Sequence, residues 1–261
     1  MRLLTALTLF ALGAPAAPAQ AADVKVFATI ALQTAIEALG PGFGQASGNA
    51  VSGDYAVTGM LARRLQDGEA VDVFIGTRSG VDELIKAGAL RAGSDVEITN
   101  SNVGLAVRKG APRPDISTAA ALRRTLLATR AISYTDPAAG GASGVHFARV
   151  LTQLGIAEPM KAKTRHPPAG GFAARLLASG EVDLAVQQNA ELLSVPGVEL
   201  LGPLPKEYRN VTLFVAAIPT AARQPDAGKA FIQYLRSAPA TSVMKAKGLE
   251  PLAAARASAA R

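Results

Sequence analysis

Cysteine is absent from this 261-residue chain, and so is tryptophan. Without cysteine there is no disulfide, no thiolate metal site, no cysteine nucleophile and no lipid-bearing cysteine after a leader. Without tryptophan, and with aromatic residues at only 5%, the chain lacks the stacking platforms of sugar sites and nucleic-acid grooves. Histidine occurs twice, as His146 and His166. Two histidines and no thiolate do not make a transition-metal site, so no metal and no cofactor is expected. Long basic runs are missing too, the basic residues gathering no more densely than in pairs such as Arg63-Arg64 and Arg123-Arg124. Nucleic acid and membrane surfaces are therefore not expected partners. The formal charge of +7 still creates a field that favours small anions.

What is present is a globular composition, 49% hydrophobic and 18% charged, long enough for two lobes. The chain opens on Met1-Arg2 and an apolar run from Leu3 to Leu12. Ala14-Pro15-Ala16-Ala17-Pro18 breaks that run, and Ala19-Gln20-Ala21 fits a small-x-small cleavage site. Residues 1–21 are expected to be a cleaved signal peptide, with a soluble product in the periplasm. The run is too short to span a membrane, which takes about 20 residues.

After the leader, strand and helix patterns alternate. Asp23 to Ala28 reads as a strand and Leu32, Ile36 and Leu39 as a helix face, with Gly40-Pro41-Gly42 interrupting or ending it. Val71 to Ile75 and Val182 to Val186 read as compact buried strands. Alternating patterns predict βαβ units and a mostly parallel sheet. Two long extended stretches, Val96 to Val107 (broken near Asn100-Ser101-Asn102) and about 203–218, bracket the middle of the chain. The fold class expected is α/β, two Rossmann-like lobes joined by a two-segment hinge. Residues 22–99 form the first part of lobe 1, 100–205 form lobe 2, and 206–261 return to lobe 1. Arg256 onward is expected to fray.

Four turns carry the functional signal. Asp136-Pro137-Ala138-Ala139-Gly140-Gly141-Ala142-Ser143-Gly144 joins a strand to a helix start. Similar turns recur at Ala28-Thr29-Ile30-Ala31, Val57-Thr58-Gly59 and Pro168-Ala169-Gly170-Gly171. Glycine lets backbone approach a ligand, and the free N–H groups of a first helical turn suit an anion. At strand ends in an open α/β sheet these turns would face one cleft. The candidate ligand-binding residues are Thr29, Ile30, Ala31, Thr58, Gly59, Ala142, Ser143, Gly144, Gly170, Gly171 and Gln187. Arg78 follows a strand end, where it serves either as a clamp for a carboxylate or as a solvated loop residue.

The stretches Val26 to Leu32, Thr58 to Gly68, Val71 to Ile75, the Asp136-Pro137 loop and Phe231 to Leu235 resemble periplasmic molybdate-binding proteins of ABC transporters, in consistent order. That resemblance implies a type II periplasmic binding protein fold and delivery of a ligand to a membrane permease; the protein is expected to be a monomer. It also implies an oxyanion held by two serines, backbone N–H groups and a tyrosine. Those positions fall on Ala31, Thr58, Ser143, Gly171 and Gln187. The first serine is missing and an amide replaces the tyrosine. A donor missing in a desolvated cleft costs roughly 1–3 kcal/mol, so specificity is expected to shift toward a small organic carboxylate, with a molybdate-like oxyanion as the alternative.

Two other classes have sequence requirements that bear on the same residues. Ligand presentation to a membrane receptor has the same sequence requirements as delivery to a permease. Hydrolysis by Ser143, His146 and Asp136 does not fit. Val145 stands where a nucleophile elbow wants glycine, and Ser143 and His146 lie one helical turn apart. No catalysis is expected.

Overall fold

A computed structural model describes residues 21–168, 171–250 and 252. Residues 1–20 of the expected leader (1–21), Ala169, Gly170, Pro251 and the C-terminal end from 253 lie outside the described residues.

Strand β1 (Asp23–Thr29) alternates because Val24, Val26 and Ala28 enter one core and Phe27 another, the two-residue period of a sheet covered on both faces. A 3-10 turn at Ile30–Leu32 leads into helix α1 (Gln33–Ser47). The helix runs straight through Pro41, contrary to the sequence expectation. Phe43, beyond the proline, packs edge-on to Phe231 with ring centres 5.1 Å apart and lies 5.5 Å from Tyr234, so burial outweighs the lost helical hydrogen bond. Gly48, at φ 74°, ends it.

The chain continues through β2 (Ala50–Ala56), α2 (Thr58–Gln66), β3 (Val73–Thr77), α3 (Arg78–Lys86) and β4 (Val96–Arg108). Next come α4 (Ala119–Ala128), β5 (Ile132–Tyr134), a 3-10 turn at Pro137–Ala139, α5 (Ala142–Gln153) and α6 (Ala157–Lys161). They are followed by β6 (Thr164–Arg165), α7 (Ala173–Ala178), β7 (Leu184–Gln188), α8 (Asn189–Leu193) and β8 (Val198–Pro203). The last elements are β9 (Val211–Ala217), α9 (Pro225–Leu235) and α10 (Ala238–Ala246). Among the described residues, no helix is long and apolar enough to cross a membrane.

The strands join in the order β2-β1-β3-β9-β4-β7-β5-β6, with β8 also on β4. Strand β4 explains this order. It is one unbroken 13-residue strand. Its first part, Val96 to Asn102, pairs with β9, and its second, Val103 to Arg108, pairs with β7 and β8. The polar triplet Asn100-Ser101-Asn102, expected as a break, is where the strand changes partners. Each half of the sheet then has the same pattern. In β2-β1-β3-β9-β4 only β9 runs against the rest, and in β6-β5-β7-β4-β8 only β4 does. The reversed strand in each half is the one arriving from the other. Two apolar clusters sandwich each half: α1, α9 and α10 against α2 and α3 in the first, α4 to α6 against α7 and α8 in the second.

Candidate functional site

Parallel strands of both halves end at a common cleft that is nearly closed, with about 10 Å³ of free volume. The first half contributes Thr29 at the end of β1, Val57 and Thr58 at the start of α2, and Thr77 at the end of β3. Facing them are Thr135, after β5, and Gly141, Ala142 and Ser143 at the start of α5. Gln188, Glu191 and Phe214 complete the lining. The hydroxyl-bearing residues Thr29, Thr58 and Ser143 are 5%, 6% and 3% exposed.

Why anions suit this cleft follows from its helix starts. Helices α3, α4 and α10 are capped by the side chains of Thr77, Thr118 and Ser237, which accept first-turn N–H groups. The turn at Ile30–Leu32 and helices α2 and α5 have no side-chain cap; they follow Thr29, Val57 and Gly141. Their leading N–H groups lack an intrahelical acceptor, and the positive ends of α2 and α5 point at one space. Thr58 Oγ1 accepts the Thr77 N–H at 3.3 Å, which ties the start of α2 to the end of β3. Among the described residues, no lysine, arginine or histidine lines the cleft. The ionisable group there is Glu191, 5% exposed, and burial pushes its carboxyl up to about 8 while the Gln188 N–H acts in the other direction.

Of the residues expected at the site, Thr29, Thr58, Ala142 and Ser143 are brought together here. Ile30 and Ala31 are buried beside Thr29, 4% and 3% exposed, so they can offer backbone but not side chain. Gly59 lies at the rim. A Cβ there would stand 3.1 Å from Ala139 O and 3.1 Å from Gly140 Cα, so the two halves touch at this point. Gly144 is a packing residue, since a Cβ would fall 2.0 Å from Thr135 O.

Three expectations need correction. Arg78 does not line the cleft. Its guanidinium is engaged by Asp82 at 2.7 Å and Asp95 at 2.9 Å. Gln187 is fully buried and occupied: Oε1 accepts the Ala173 N–H at 2.6 Å, and Nε2 donates to Thr135 Oγ1 at 3.0 Å and Gly171 O at 3.3 Å. Successive strand residues point to opposite faces, and it is the neighbour Gln188 that reaches the lining. The Gly171 N–H is turned onto Pro168 O at 2.7 Å. Each histidine holds a backbone carbonyl: His146 Nε2 meets Tyr208 O and His166 Nδ1 meets Tyr134 O, both at 2.8 Å. Tyr134 packs on Phe147, ring centres 5.2 Å apart.

Glu191, Gln188, Thr77 and Thr135 were missed from sequence. The spacing Gln188-x-x-Glu191 at a helix start is a capping-box signal. The Gln188 N–H does donate to Glu191 Oε2 at 3.3 Å.

A family model described as bacterial extracellular solute-binding protein matches residues 24–250. An aconitate isomerase from Pseudomonas sp. is 34% identical over 195 residues, covering 74% of this chain and 72% of that protein. The molybdate-binding protein ModA of Azotobacter vinelandii is 27% identical over 243 residues, 90% and 93% of the two chains. The solved Azotobacter vinelandii periplasmic molybdate-binding protein superposes with a TM-score of 0.73 at 19% identity, covering 88% of this chain and all of that one.

Proposed function

Because this chain belongs to the bacterial extracellular solute-binding proteins and has their type II periplasmic binding protein fold, we propose that it captures a small organic polycarboxylate between its halves. The observation that carries this reading is the convergence of uncapped helix starts from both halves on a cleft lined by Thr29, Thr58 and Ser143. Capture then runs as follows. The lobes, 22–99 with 206–261 and 100–205, open about β4 and the connection before β9. A carboxylate enters, accepts hydrogen bonds from N–H groups of Ile30, Ala31, Gly59 and Ser143 and from the hydroxyls of Thr58 and Ser143, and the lobes close. The closed form docks on a membrane permease in the periplasm and releases the ligand. No step of capture requires a bond to break.

A polycarboxylate is preferred to a metal oxyanion on two grounds. Ala31 and Gln187 do not supply the side-chain donors that the molybdate pattern implies. The aconitate isomerase relative also points to an unsaturated tricarboxylate as the class to try first.

The test is a thermal-shift screen of protein unfolded and refolded to remove bound ligand, with cis-aconitate, trans-aconitate, citrate, molybdate, tungstate and sulfate. Ligand at about 100 times its Kd adds roughly 2.7 kcal/mol of stability. A response to a tricarboxylate, weakened at least tenfold in affinity by Thr58→Ala and by Ser143→Pro, supports the reading. A response to molybdate or tungstate alone overturns the carboxylate assignment. Unchanged affinity in both variants overturns the cleft.

A further inference from the structure

Anion sites commonly hold a cation. This one is lined instead by a carboxyl, that of Glu191. The residue sits on α8, which packs against β4, β7, β8, α7 and the turn at Ile30–Leu32. Charged groups on those elements do not face it. Glu97, Arg108 and Arg175 are exposed, and Glu199 pairs with Arg113. The carboxyl is therefore desolvated and has no counter-ion, an environment that favours its neutral form.

We propose that Glu191 recognises the ligand as a neutral acid, its hydroxyl donating to an anionic oxygen, so that binding of the anion is linked to retention of one proton. The proposal rests on the reading of the cleft as an anion site and names how that site chooses its ligand. The two carboxyl oxygens divide the work. Oε2 accepts the Gln188 N–H at 3.3 Å and acts as the carbonyl end. Oε1 is left to carry the proton and donate it. An ionised Glu191 would set two like charges in one desolvated cleft, so the anion itself favours protonation. A purely structural role in capping α8 needs only Oε2. It works at least as well when the group is ionised, and it predicts no effect of pH on binding.

The experiment is isothermal titration at pH 6.5, 7.5, 8.5 and 9.5, with trans-aconitate and with molybdate as probes. Carboxylic acids of ordinary pKa are ionised throughout this range, so a slope with trans-aconitate reports the protein. The affinity of the wild type is expected to hold to about pH 8, where the free protein's Glu191 titrates. It is then expected to fall by about tenfold between pH 8.5 and 9.5. Glu191→Gln keeps a donor and an acceptor in the same places and cannot ionise, so its affinity should not vary with pH. Glu191→Ala removes the donor and should bind about tenfold more weakly at pH 6.5, with Glu191→Gln recovering most of that loss. In carboxyl-labelled protein, the Glu191 ¹³C resonance should titrate at higher pH with ligand than without.

A flat wild-type profile, or the same slope in Glu191→Gln, overturns the proposal and leaves the anion cleft standing. Absence of binding by the wild type at pH 6.5, with either probe, overturns the anion reading and this proposal together.

Discussion

Two buried carboxyls in this protein meet opposite surroundings. Asp72, 4% exposed, accepts three backbone N–H groups: Lys25 at 3.0 Å, Arg223 at 2.9 Å and Gln224 at 2.7 Å. It ties β1 to the approach to α9 and belongs to the frame of the first half. Glu191 has the Gln188 N–H alone, at 3.3 Å, and burial holds its carboxyl at about 8 against an ordinary value of 4.5. The difference has a sign that can be measured. Between those two values the folded chain binds one more proton at Glu191 than the unfolded chain does. Stability from this group is therefore fully present below pH 4.5 and is lost as pH rises toward 8, by about 1.4 kcal/mol per unit. Urea unfolding of wild type and Glu191→Gln at pH 5 and pH 8 isolates the effect, because every other group titrates alike in both. Relative to the variant, the wild type should lose roughly 2–4 kcal/mol between the two. A constant difference would mean that Glu191 is ionised in the fold.

At the scale of elements, the start of α5 shows how closely strand and helix are fitted. Gly144 sits against the carbonyl of Thr135, and a Cβ would stand 2.0 Å from that oxygen. Gly144→Ala should move α5 off β5, lower stability by roughly 2 kcal/mol or more, and abolish ligand binding through displaced Ser143; melting temperature and titration check both. That a glycine-rich turn opened a helix here was readable from the sequence. Which glycine serves packing and which serves ligand was not, since that depends on how near Thr135 O comes. The same limit explains the other differences. The βαβ alternation, β4 and β9 as crossing strands, and Thr58 and Ser143 at helix starts all follow from local patterns. Pro41 inside α1 does not, because the contacts that carry the helix past it come from Phe231 and Tyr234, almost 200 residues away. Gln187 and Gln188 are chemically identical neighbours. Only the register of β7, pairing Gln187 with Gly104 and Gln188 with Val103, decides which one caps α7 and which one lines the cleft. Arg78 was ambiguous because Asp95, its partner, lies 17 positions on.

At the scale of the whole molecule, the two halves meet through small groups. Gly59 of α2 faces Ala139 O and Gly140 Cα, and Val57 approaches Gly141. Across the same boundary α8 leans on the first half: Ala190 joins its core, and Thr34 Oγ1 lies 3.3 Å from Ser194 Oγ. Closure thus depends on backbone meeting backbone at Gly59, with no side chain between. A side chain placed there should hold the halves apart at this point while leaving the strand pairing within each half intact. Gly59→Val is expected to keep the ligand-free melting temperature within a few degrees of wild type. It should weaken ligand binding at least tenfold, because donors from the two halves no longer reach one anion together. Small-angle scattering supplies the decisive reading. The wild type should contract on adding ligand, and the variant should keep the larger radius of gyration at saturating ligand. Contraction of the variant to the wild-type value would show that the halves close without contact at Gly59 and would move the hinge argument to α8.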